Sequence, residues 1–162
     1  MKRLLASPMR RSQYLLSFIG ARLILLLPEV VILLGFAALA FGVPVRGSLV
    51  AVGVVALLGA MCFAGMGLLT ASRVQTVEGV SGLMNLVMLP MWVLSGVFFS
   101  SSNFPQAMQP FIAALPLTAL NEALRGVILE GTPLLALSVP LGILVAWGGV
   151  SFAAALRFFR WL

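Results

Sequence analysis

Long apolar stretches alternate with short polar connectors along most of the chain, and the pattern predicts four membrane-crossing helices. The first stretch, YLLSFIGARLILLLPEVVILLGFAALAF, covers about residues 14–41. At about 1.5 Å per residue it is long enough to cross a bilayer with tilt, and Pro28 is placed to kink it. After GVPVRGS, a glycine-rich apolar run spans 49–71. The polar connector SRVQTVEG at 72–79 leads into a third span over about 80–99, which the polar run SSSN ends. A fourth covers about 134–158. Between the last two lies FPQAMQPFIAALPLTALNEALRGVILEG, whose apolar pieces are too short to span and whose prolines break them. Pro105 and Pro116 favour helix starts, while Thr118, Asn121, Glu122 and Arg125 give LTALNEALR a polar side at helical spacing. Non-helical backbone at membrane depth requires shielding by protein or a wet cavity. The 104–130 segment is therefore expected to dip among the other helices, or to lie along their ends as an interfacial amphipathic helix.

Composition narrows the class. Of 162 residues, 62% are apolar and 9% charged, leaving no room for a separate soluble domain beside four spans. The fold class is all-α, a polytopic membrane protein with short broken helices before its last span. One cysteine, Cys62, and no histidine exclude a disulfide framework and the usual transition-metal clusters. There is no nucleophile with its base, no pair of catalytic carboxylates and no phosphate-cradling glycine loop, so neither catalysis nor nucleotide binding is expected of this chain. The net charge of +6 does not imply nucleic acid, because most of the ten basic residues flank apolar stretches instead of forming a stripe. Lys2, Arg3, Arg10, Arg11, Arg73, Arg157 and Arg160 fall on one side of the membrane, and Arg46 and Arg125 on the other. The positive-inside rule then puts both termini in the cytoplasm and residues 100–132 outside. Phe159 and Trp161 sit where an interfacial belt is expected, whereas Trp147 lies within the fourth span.

Some residues are costly in a bilayer. Glu29 stands in the middle of the first span, with Arg22 two turns earlier and Asn85 on the third span as candidate partners. It either lines a substrate path or bonds between helices and to backbone freed by Pro28; a lone carboxylate without a matching relay favours the structural role. Ala56, Ala60 and Ala64, with Gly53, Gly59, Gly65 and Gly67 nearby, suit close helix packing within the chain before a dimer seam. Cys62 reads as a buried small side chain, and Met84, Met88 and Met91 as packing or the lining of an adaptable cavity.

LLASPMRRSQYLLSF, residues 4–18, resembles the cytoplasmic segment leading into the third transmembrane helix of type-2 ATP-binding-cassette exporter permeases. LPMWVLSGVFF at 89–99 followed by LPLTALNEALRG at 115–126 carries the resemblance further, with Pro90, Leu94, Ser95, Gly96, Phe98, Pro116, Leu117, Thr118, Ala123, Leu124 and Arg125 matching in order. Ser100 stands where that family often has proline. The resemblance implies the last four helices of a six-helix permease, in the inner (plasma) membrane, exporting a drug, lipid or glycan-like amphiphile. ATP and Mg would belong to a separate P-loop ATPase at the cytoplasmic face, and this chain would hold no cofactor. It also implies a second permease copy, or a missing two-helix half, as partner besides membrane lipid. Residues 1–13 would form a cytoplasmic coupling segment and 14–162 the transmembrane domain. Lys2, Arg3, Arg10 and Arg11, with Arg73, Gln75 and Glu78 of the connector, would touch the ATPase. Pro105, Pro116, Thr118, Asn121, Glu122 and Arg125 would belong to an outer cap. The alternative is a truncated or non-transporting membrane scaffold.

Overall fold

A computed structural model of the chain describes residues 11–72, 74, 76–97 and 104–158. The described part is all helical. The chain divides into two compact units, residues 1–42 and 43–162.

The first unit contributes one helix, α1 (Arg11–Phe41), which carries Pro28 in its interior. Gly42 ends it in the left-handed region, φ 61°, with its N–H donating to the Ala38 carbonyl at 3.1 Å. Glycine suits this cap because it has no Cβ to clash there.

The second unit contains α2 (Leu49–Ala71), α3 (Val77–Leu94), α4 (Gln109–Ala113), α5 (Pro116–Arg125) and α6 (Ser138–Phe158), with short 3₁₀ turns at Gln106–Met108 and Leu134–Leu137. Ser48 caps α2 through its side chain, which accepts from the Val50 N–H at 3.2 Å. Two caps close α2 and open α3. Ser72 donates backbone and hydroxyl hydrogens to the Leu68 and Leu69 carbonyls, and Thr76 Oγ1 accepts from the Gly79 N–H at 3.2 Å as the N-cap of α3. That cap starts α3 at Val77, three residues before the expected span. At the other end Ser95 caps the helix and Gly96 takes φ 81°, so α3 stops at Leu94, short of the expected 99.

Helices α2 and α6 form the main pair. Their backbones approach closely because a Cβ on Gly65 would lie 3.2 Å from the Gly148 carbonyl oxygen, and one on Gly148 would lie 3.3 Å from the Cys62 Cα. In an apolar solvent such packing, not water exclusion, drives helix association. The core is correspondingly made of modest side chains: Cys62 and Met66 from α2, Met91 from α3, Ala119 from α5 and Leu144 from α6. The close contacts of α2 run through Gly59, Cys62 and Gly65, whereas Ala64 of the Ala56, Ala60, Ala64 series is exposed.

Candidate functional site

The broken segment after α3 forms the distinctive part of the second unit. The run Gln106–Ala113 meets the run Pro116–Glu130 at 83°, the geometry of a broken span or a re-entrant loop. Pro116 begins α5 at the position where its missing N–H costs no helix bond. The face that α5 turns inward is unusually small: Pro116, Ala119, Ala123 and Gly126 are all buried. That stripe lets the α5 backbone enter among α2, α3 and α6, with Ala119 in the core beside Cys62 and Met91. On another side Leu120 covers Gly59, where an added Cβ would lie 2.6 Å from Leu120 Cδ1. Helix α5 thus packs against α2, α3 and α6.

Three contacts locate the hairpin. At its apex the Ala114 carbonyl accepts from Trp147 Nε1 of α6 at 2.9 Å. Along α5, Asn121 Nδ2 donates to the Ser95 carbonyl at the end of α3, at 3.4 Å. After α5 the chain widens into a π turn, Gly126–Glu130, which Gly131 closes at φ 67°. Here the loop before α2 is stitched on: the Arg46 N–H donates to the Ile128 carbonyl at 2.9 Å, and Gly47 packs on the Val127 carbonyl where no Cβ fits. π turns inside or at the end of helices are frequent at functional positions.

The candidate residues fall into distinct settings. Thr118 is buried and Asn121 half-buried, while Glu122, Arg125 and Pro105 are exposed, so the polar side of α5 divides between the bundle and its surface. The hydroxyls of Ser95 and Thr118 are buried without a hydrogen-bond partner among the described residues. Glu78 is exposed in the first turn of α3, where a carboxylate favours the positive end of the helix dipole whatever else it does. Within the first unit Glu29 is exposed at mid-helix; Asn85, exposed on α3, belongs to the other unit. The Arg22 side chain, Lys2, Arg3, Arg10, Arg73 and Gln75 lie outside the described residues, as does the side chain of Arg11. Sequence reasoning placed Trp147 within the fourth span but missed its Ala114 partner, and it missed the small-residue face of α5. The signals were present: a tryptophan away from the interface, and small residues at 116, 119, 123 and 126. No group of three or more potential metal ligands occurs among the described residues.

Four described helices are long and apolar enough to cross a membrane, or up to five spans if the bent pair counts as one. The class is a multi-pass helical membrane protein with a broken hairpin set among its spans. The model of the ABC-2 type transporter family matches residues 1–129, and the chain belongs to that family. Its membrane domain is a transport permease and is not itself catalytic; permeases of this family work with ABC ATPase partners. No curated protein and no solved structure gave a significant match.

Proposed function

We propose that this chain is the membrane-spanning subunit of an ATP-driven exporter that moves an amphiphile (a drug, lipid or glycan-like molecule) outward without changing it. The observation that carries this reading is the family match over residues 1–129, which includes both the N-terminal basic segment and most of the hairpin. ATP and Mg are handled by a P-loop ATPase subunit docked on residues 1–13 and on the 72–79 connector. Both termini face the cytoplasm of the inner membrane, in keeping with the basic residues at 2, 3, 10, 11, 73, 157 and 160. The hairpin then closes the outer end of the export path, beside a second permease copy or a two-helix half.

The test is copurification of the chain from its native membrane with its neighbouring genes intact, followed by mass identification of what comes with it. Recovery of a P-loop ATPase supports the exporter. Recovery of the chain alone puts a truncated or non-transporting scaffold ahead of transport.

A further inference from the structure

Tryptophan in a spanning helix normally sits at the membrane interface, where its ring is sheltered and its N–H meets water. Trp147 instead lies midway along α6 (Ser138–Phe158), about 14 Å from the helix start. A donor at that depth needs a partner inside the protein. It has one in the Ala114 carbonyl, 2.9 Å away. Ala114 is the residue at which α4 ends and the chain turns by 83°. Its carbonyl lies at the break between α4 and α5, where neither the Leu117 nor the Thr118 N–H, three and four residues on, donates to it. Within this unit both Ala114 and Trp147 are exposed, so the free carbonyl would meet hydrocarbon if the indole did not cover it.

We infer that Trp147 is a positioning residue whose indole N–H, and not its ring area, holds the apex of the re-entrant hairpin at mid-span. The far end of the hairpin is fixed separately, by Arg46 to Ile128 and by Gly47 on Val127. Losing the bond at Ala114 therefore loosens the α4–α5 corner locally, while the buried Ile112 and Ala119 and the α2–α6 pair stay packed. This holds whatever the cargo and whatever the partner.

The experiment is regional amide hydrogen exchange on the full chain in lipid nanodiscs. It compares the native protein with Trp147→Phe, with Trp147→Gln, and with a sulfur isostere of tryptophan placed at position 147, which has the same shape but no N–H. Loss of one hydrogen bond corresponds to roughly tenfold faster exchange, expected over residues 111–119 in the Phe variant and in the isostere, with 52–66 and 148–155 unchanged. Trp147→Gln restores a donor without the ring and exchanges more slowly than Trp147→Phe. The inference is overturned if the isostere exchanges like the native protein, if Gln is faster than Phe, or if the acceleration spreads equally through α2 and α6.

Discussion

Glycines divide sharply by what surrounds them. A Cβ at Gly47 would collide with the Val127 backbone carbonyl, an atom that cannot move without disturbing the π turn. At Gly53, on the neighbouring helix, nothing lies within 4 Å. Gly47→Ala is therefore expected to cost about 1–3 kcal/mol through forced backbone displacement, whereas Gly53→Ala is neutral or slightly stabilising through helix propensity. Thermal unfolding of the two variants in the same detergent checks this, and equal melting temperatures would remove the Gly47 contact as a constraint. Glu29 makes a different case. Exposed at mid-helix within its own unit, it is expected to act as a structural polar group rather than as a proton carrier. Glu29→Gln keeps the hydrogen-bonding shape and should leave assembly and ATP-dependent export largely intact; normal assembly with abolished export would assign the carboxylate to the transport path. At this scale the sequence showed which residues are costly but not what they touch. Trp147 and Ala114 stand 33 positions apart, and no periodicity links them.

Among the elements, α2 was readable to its ends: Leu49–Ala71 coincides with the apolar run, because polar residues flank it and Ser48 caps it. Helix α3 was less so. Its limits depend on a threonine cap at 76 and on the positive φ of Gly96, which hydropathy does not register. The hairpin was legible as a break, through its prolines, and illegible as a wedge. What admits α5 to the bundle is the smallness of Pro116, Ala119, Ala123 and Gly126, a property that counts for little on any hydropathy scale. Enlarging that face should expel the helix. Ala119→Leu, at a residue with no exposed surface, is expected to destabilise by about 1–3 kcal/mol, and Glu122→Ala on the exposed face by no more than about 0.5 kcal/mol. The discriminating measurement is unfolding together with protease sensitivity at 104–131: cleavage should rise in Ala119→Leu alone. A tolerant Ala119→Leu would mean that α5 does not depend on close approach.

For the whole molecule, the match to the ABC-2 type transporter family and the four candidate spans define a membrane permease, and the proposed ATPase partner makes the route by which energy would reach it the question to test. The two candidate contacts differ in kind. Ser72 at the end of α2 and Thr76 at the start of α3 cap the two helices only four positions apart, so a force applied there would act on both helices at once. The basic residues at 2, 3, 10 and 11 stand at the N-terminal end of the sequence, where the positive-inside rule alone would give them a part in the proposed orientation. Charge removal alone therefore confounds docking with topology, and the test must hold topology fixed. With Arg10 and Arg11 changed to Gln while Lys2 and Arg3 remain, the positive-inside bias persists. If the pair docks an acidic surface of the ATPase, copurification should fall several-fold and fall further as salt rises, because exposed ion pairs are screened. Cysteine labelling at positions 76 and 106 verifies that the two ends of the bundle still face their original sides. Unchanged recovery of the ATPase with unchanged labelling would confine Arg10 and Arg11 to orientation and leave the 72–79 turn as the coupling contact.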